Sequence, residues 1–314
     1  MGGGSNILAH DAGFPGVVIH IENKGKEVIE ERPGLSSIKV GAGEVLDDVV
    51  AWAVSQNWWG IENLSFVPGL TGALVIQNVG AYGAKAEDIV ESVEVIDSRD
   101  LSVKTFTNEE CRFGYRGSIF NREEKGRYAV LSVTLRLSKV PTPNISYRDV
   151  RAFFESAGNS NPSLLEIRNA ITEIRKRKGQ DPNQYWSAGS FFKNFLLTNK
   201  EYESAAIRIG ETLGLEKARE FASMKETFKK WGDKSDGGKI KTPIGYILDK
   251  LLNLKGFSEG GAKISELQVI NIVNTGNASA EDVFTLFKKV QAIVLEKTGL
   301  LVVHEPEFLG FDGE

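Results

Sequence analysis

A single cysteine, Cys111, excludes an intrachain disulfide and fits a reducing compartment. Histidine is almost as scarce. His10, His20 and His304 are scattered without metal-ligand spacing, so no metal centre is expected. No uncharged run approaches the roughly 18 residues of a membrane-spanning helix. The N-terminus has neither the basic region nor the apolar core of a secretory signal. There is no excess of positive charge: a net charge of −4 and a pI near 5.7 disfavour nucleic acid as the main partner. No histidine stands beside a candidate nucleophile and no G-x-S-x-G elbow is present, which disfavours hydrolase chemistry. Internal repeats and low-complexity segments are also missing. What remains is ordinary for a soluble globular protein, with 41% hydrophobic and 25% charged residues, and 314 residues leave room for two domains.

One stretch is uncharged where a surface loop would normally carry charge. Pro68 to Gly83, PGLTGALVIQNVGAYG, contains Gly69, Gly72, Gly80 and Gly83 but no acidic or basic side chain. Such a loop works through its backbone, since glycine lets main-chain N–H groups approach a ligand closely. Successive N–H groups facing one concavity bind phosphate without a formal positive charge. A second loop of this kind, Gly2-Gly3-Gly4-Ser5-Asn6, opens the chain. Together they suggest one extended phosphate-bearing ligand; two tight turns between buried strands are the plainer alternative.

The first half reads as mixed helix and strand. Residues 16–21 (GVVIHI) and 37–43 are expected as strands, Glu44 to Ser55 as a helix, 92–106 as a hairpin and 128–138 as a further strand. Ser163 and Glu166 form a capping box opening a helix that ends in Arg175-Lys176-Arg177-Lys178. These cations either complement the helix dipole or serve a ligand. Beyond residue 181 a second domain is expected. In it Lys217 to Lys241 is read as partly helical and exposed, Ile244 to Leu254 as a short buried helix, and Leu267 to Asn274 as a strand. Glu281 to Glu296 reads as an amphipathic helix and Leu300 to Leu309 as a terminal strand.

Three further segments set reactive side chains among glycines or aromatics: FGYRGSIF (113–120), SAGSFFKN (187–194) and HEPEFLG (304–310). Arg116 is suited to bidentate pairing with a carboxylate. Ser190 is suited to giving a proton to a strongly basic carbanion, a role that needs no neighbouring base, unlike a serine nucleophile.

Taken in order and spacing, GGGSN, PGLTGALVIQNVGAYG, CRFGYRGSIF, AGSFFKN and EPEFLG resemble the UDP-N-acetylenolpyruvoylglucosamine reductase (MurB) family, over nearly the whole chain. The resemblance implies an α+β protein. Residues 1–180 would form a flavin-binding domain of the vanillyl-alcohol-oxidase-like (PCMH-type) FAD fold. Residues 181–300 would form a substrate-binding domain, and 301–314 a terminal strand returning to the active site. It implies FAD as cofactor and NADPH as reductant. The implied reaction reduces the enolpyruvyl ether of UDP-N-acetylglucosamine to UDP-N-acetylmuramate, a peptidoglycan precursor, in a cytoplasmic monomer.

By the same resemblance, FAD would lie against Gly2, Gly3, Gly4, Ser5 and Asn6, and against Pro68, Gly69, Gly72, Ile76, Gln77, Asn78, Gly80, Ala81, Tyr82 and Gly83, with Arg175 as a further contact. Ser190 would donate the proton, while Arg116 and Glu307 would hold and polarise the substrate carboxylate. Tyr115, Tyr147, Lys178, Asn194, Lys255 and Gln268 would bind the UDP-sugar, Tyr147 as the aromatic of the tyrosine-loop variety. The sequence departs from the family at Gly117, where aspartate is common, Asn121 (lysine) and Phe195 (proline). A family segment that precedes the first glycine loop is expected to be missing. The alternatives are a flavin-free UDP-sugar-binding fragment or another oxidase of the same flavin fold.

Overall fold

The computed structural model describes residues 1–232 and 237–311. The chain forms two compact units, Met1–Gly4 with Val18–Lys178, and Ser5–Val17 with Gly179–Glu314. Helices and strands alternate irregularly in both, which makes the fold α+β.

The first unit is built on a five-stranded antiparallel sheet ordered Lys26–Arg32, Leu35–Gly41, Tyr128–Ser138, Val90–Asp97, Val103–Thr107. Register places Val40, Val133 and Val93 in one row across the three central strands, all fully buried. This is the period-2 pattern of a half-covered sheet. Helix Leu46–Ser55 buries Leu46, Val49, Val50 and Ala53 in the same core, and Leu164–Arg177 buries Leu164, Ile167, Ala170 and Ile171. The capping box forms: Ser163 Oγ accepts from the Glu166 N–H, and the Glu166 carboxylate accepts from the Ser163 N–H.

The expected strand at 16–21 does not form. Val17 and Ile19 stay outside, 87% and 69% exposed, and no strand pairs with the segment: its backbone bonds run to Phe14 and Met1. The edge position is taken instead by Lys26–Arg32, KEVIEER, exposed along its whole length. A charged edge strand of this kind resists pairing with other chains; sheet position outweighs β-propensity here.

The second unit carries a four-stranded antiparallel sheet ordered Ser258–Glu259, Ala262–Ile264, Asn271–Asn274, Trp186–Ser190. A parallel pair joins Ile7–Ala9 to Glu307–Leu309, so the start and end of the chain share one ladder. Helix Ala280–Thr298 covers the core with Leu286, Phe287, Val290 and Val294, against Phe191 and Phe192. The expected strands are shorter than predicted, Asn271–Asn274 and Glu307–Leu309. The stretch 217–241 is less exposed than predicted. Helices Leu215–Ser223 and Lys225–Lys230 each bury a phenylalanine completely, Phe221 and Phe228, beneath Tyr202. Residues 233–236 of that stretch lie outside the described residues. Among the described residues no helix is long and apolar enough to cross a membrane, and no cluster of metal-ligating side chains occurs.

Candidate functional site

In the first unit the two uncharged loops lie side by side. A Cβ built on Gly3 would touch Gly69 Cα at 3.7 Å and Leu70 Cγ at 3.6 Å, and one on Gly2 would touch Ala73 Cβ at 3.7 Å. Among the described residues the N–H groups of Gly2, Gly3, Gly4 and Gly69 donate to no acceptor in the chain. Unspent donors in two adjoining, uncharged, solvent-reaching loops make the cradle an anionic pyrophosphate requires, so the residues present fit FAD.

The predicted donor Gly72 is not available. Its N–H donates to the Ala42 carbonyl at 2.9 Å, beside that of Thr71, which donates to the Glu44 carbonyl at 2.8 Å. Gly72 is glycine for packing, since a Cβ there would lie 2.7 Å from Ala42 Cβ.

The loops are held in strained conformations. Phe66, Asn78, Tyr82 and Arg116 all have left-handed φ, between 47° and 60°, at a cost of about 1–3 kcal/mol each. Each is clamped by a polar side chain. Phe66 donates its N–H to Asp47 Oδ1 (2.6 Å), and its carbonyl accepts from Arg175 Nε (2.9 Å). The Tyr82 carbonyl accepts from buried Asn63 (2.7 Å), and the Arg116 carbonyl from Asn121 (3.3 Å). Asn78 spends its own amide on Glu87 (2.7 Å) and on the Gly114 carbonyl (3.1 Å), so its side chain is structural. Arg168 anchors Asp47 bidentately at 2.7 and 2.8 Å. Burial pushes the Asp47 carboxyl up, but Arg168 and the Phe66 N–H outweigh it and the net direction is down. Strain clusters at functional sites when the surroundings over-determine it.

The Arg116 motif is tied to the same loop. Arg116 Nη1 donates to the Gly80 carbonyl (3.3 Å) and Ser118 Oγ to the Ile76 carbonyl (2.7 Å). Gly114 and Gly117 exchange backbone bonds at 2.9 and 3.2 Å, turning the chain tightly around Tyr115 and Arg116. The departure at Gly117 has a local reason: the Arg122 guanidinium fills the space, and a Cβ there would lie 2.3 Å from Arg122 Nε. Cys111 beneath it is fully buried, and burial pushes its thiol up to about 12, so it stays protonated.

Tyr147, Lys178 and Tyr82 also meet in this unit. The two tyrosine rings pack edge to face at 5.3 Å, and Lys178 Nζ lies 5.8 Å from the Tyr82 ring centre while pairing with Asp149. Burial raises the Tyr82 phenol to about 12, opposed by Arg175.

In the second unit, the segment after Ser190 is linked to the segment that carries Glu307 by a short chain of bonds. The Phe191 carbonyl accepts from the Glu305 N–H (2.8 Å), the Glu305 carbonyl from Asn6 Nδ2 (3.2 Å), and the Asn6 carbonyl from the Glu307 N–H (3.0 Å). Ser190 ends its strand just after a register shift, where Gly189 at φ 77° adds a residue opposite the 271–273 strand. Such bulges re-aim the next side chain beside active sites.

The remaining predicted contacts have structural partners of their own. Asn194 Oδ1 accepts from the Ile244 N–H (3.1 Å), Lys255 pairs with Asp249 (3.0 Å), and the Gln268 carbonyl accepts from the Asn271 N–H (2.9 Å). The clamps Asp47, Asn63 and Arg168 were missed by sequence reasoning, because nothing in their local patterns distinguishes them from helix or turn residues. Asn271 was missed as well, although a polar residue between Ile270 and Ile272 in a strand was a usable signal.

The geometry has counterparts among known proteins. Residues 181–309 match the profile described as UDP-N-acetylenolpyruvoylglucosamine reductase, C-terminal domain, and residues 1–105 match an FAD binding domain. A UDP-N-acetylenolpyruvoylglucosamine reductase of Flavobacterium johnsoniae is 35% identical over 97% of this chain and 85% of its own length. Those of Neisseria meningitidis serogroup A and Aliivibrio fischeri are 35% and 36% identical over 98% of this chain and 84% and 81% of theirs. The crystal structure of the enzyme from Thermus caldophilus superposes with a TM-score of 0.58 at 23% identity, covering 97% of this chain and 82% of that one, a likeness of fold.

Proposed function

The chain belongs to the UDP-N-acetylenolpyruvoylglucosamine reductase family, and from that premise we propose how its residues divide the work. It is an FAD-dependent oxidoreductase of peptidoglycan precursor synthesis, reducing UDP-N-acetylenolpyruvoylglucosamine to UDP-N-acetylmuramate. The observation that carries the flavin reading is the pairing of the two glycine loops with donors left over.

Gly2, Gly3, Gly4 and Gly69 hold the pyrophosphate of FAD by main-chain N–H groups, and Arg175 fixes the Phe66 turn that leads into the loop. When bound, FAD would supply hydride transfer from NADPH to the enolpyruvyl double bond. Ser190 gives a proton to the carbon next to the one that receives hydride, so the alkene becomes the lactyl ether. Arg116 and Glu307 hold and polarise the substrate carboxylate, and Arg116 supplies the positive charge that the forming enolate requires. Fixed charge aimed at developing charge is usually the largest catalytic contribution. Tyr115, Tyr147, Lys178, Asn194, Lys255 and Gln268 hold the UDP-sugar, with Tyr147 at the nucleotide. The protein works in the cytoplasm as a monomer.

The test is anaerobic flavin spectroscopy on the purified chain. NADPH should bleach the flavin band and UDP-N-acetylenolpyruvoylglucosamine should restore it, with product gaining one hydride and one proton in mass. A chain that purifies without flavin and takes none up would overturn the reading.

A further inference from the structure

Asn271 stands directly across the sheet from Ser190 in the antiparallel ladder. Its neighbours Ile270 and Ile272 face the hydrophobic core, so the period-2 alternation of a strand sends Asn271 to the other face, shared with Ser190. Directly opposed residues hold their Cβ atoms about 4.5–5.5 Å apart, within reach of a carboxamide. Asn271 is only 2% exposed, and its Oδ1 is buried with no hydrogen-bond partner among the described residues. The Ser190 hydroxyl makes no side-chain hydrogen bond there either. Burying an unsatisfied amide costs about 1–3 kcal/mol, and Asn271 is held in place by its own backbone, whose N–H donates to the Gln268 carbonyl and whose carbonyl accepts from Ser265, both at 2.9 Å.

We propose that Asn271 is a positioning residue for Ser190, its carboxamide hydrogen-bonding the serine hydroxyl and steadying the oxygen through proton transfer. The inference rests on the reading of Ser190 as proton donor. In the step, the Ser190 O–H bond breaks and a C–H bond forms on the substrate carbon, while hydride arrives at the neighbouring carbon from the reduced flavin. The alkoxide left on Ser190 accepts a hydrogen bond from Asn271 Nδ2 until water returns a proton. Asn271 Nδ2 donates to the Ser190 oxygen before transfer and to the alkoxide after it, which leaves the single serine O–H free to point at the substrate carbon.

The experiment compares Asn271→Leu, Asn271→Ser, Ser190→Ala and the Ser190→Ala/Asn271→Leu double variant in full-length protein. Flavin content, melting temperature, NADPH reduction of the flavin and its reoxidation by substrate are measured, the last in H2O and D2O. Leucine removes an unsatisfied buried amide, so the melting temperature should hold or rise. Reoxidation should nevertheless slow by about tenfold or more, the loss of a bond to a charged group, with a larger solvent isotope effect and unchanged flavin content. Asn271→Ser, which restores a donor, should recover part of the rate and keeps the test alive if leucine fails to fold. The double variant should be no slower than Ser190→Ala, because Asn271 acts only through Ser190. If Asn271→Leu reoxidises at the normal rate while Ser190→Ala is slow, the proposal fails and the proton-donor reading stands. If Ser190→Ala is also normal, the underlying reading itself fails.

Discussion

The N–H of Glu307 donates to the carbonyl of Asn6 at 3.0 Å, although three hundred positions separate them along the chain. The Asn6 side chain adds a second bond, to the Glu305 carbonyl at 3.2 Å. Asn6, the last residue of the first glycine loop, therefore leads directly into the ladder that carries Glu307. Asn6→Ala keeps the backbone bond and deletes the side-chain one. It should cost about 1 kcal/mol of stability and slow flavin reoxidation by substrate, while NADPH reduction proceeds normally. Thermal melts and rapid-mixing traces check both, and equal slowing of the two half-reactions would detach Asn6 from Glu307's role.

Gly69 and Gly72 should fail differently when enlarged. Gly69 sits at φ 117° with its N–H unspent, so Gly69→Val should mainly lower flavin content. Gly72→Val drives a side chain into Ala42 and should lower the melting temperature even of flavin-stripped protein, overpacking costing about 1–3 kcal/mol. Flavin absorbance and apoprotein melts separate the two. If both variants lose flavin with unchanged apoprotein stability, the packing role of Gly72 is wrong.

These two glycines also mark what was readable in advance. The motifs located the loops, the capping box and the Arg116 turn, because glycine spacing and S-x-x-E patterns are local. Which N–H groups stay free was not readable, since Thr71 and Gly72 spend theirs on carbonyls of a distant strand end. The strand expected at 16–21 failed for a related reason: Val17 and Ile19 have the propensity, but the edge of the sheet had already gone to KEVIEER. Likewise Asn63 and Arg168 serve the site through contacts that only folding creates.

Arg116→Ala should leave NADPH reduction of the flavin intact and slow its reoxidation by about a hundredfold or more, the loss of a fixed charge at the developing one. Arg116→Lys should recover only part, since an ammonium cannot bind a carboxylate bidentately. Rates of reoxidation against substrate concentration give the answer; a normal rate in Arg116→Ala would place the carboxylate elsewhere.

Asp97 predicts an acid response of the fold. It is fully buried between Arg127 and Lys104, at 2.9 and 2.7 Å, and hydrogen bonds from those two cations hold its carboxyl well below the usual range. The unfolded chain therefore takes up this proton more readily than the folded one. The stabilisation is complete above an unfolded value of about 3.9 and is lost as pH falls through the folded value. Asp97→Asn should melt lower than the parent at pH 7, with the gap narrowing toward pH 3. A gap that stays constant would show that ionisation of Asp97 contributes nothing.

The most direct test of the proposed chemistry is the pair of half-reactions in Ser190→Ala, followed by the flavin band under anaerobic rapid mixing. A serine that donates the proton acts only after the flavin is reduced. Bleaching by NADPH should match the parent, and recovery on adding UDP-N-acetylenolpyruvoylglucosamine should slow by about 10²–10⁴-fold, the usual contribution of a general acid. Recovery at the parent rate, or equal slowing of both phases, would contradict the assignment of Ser190 as proton donor.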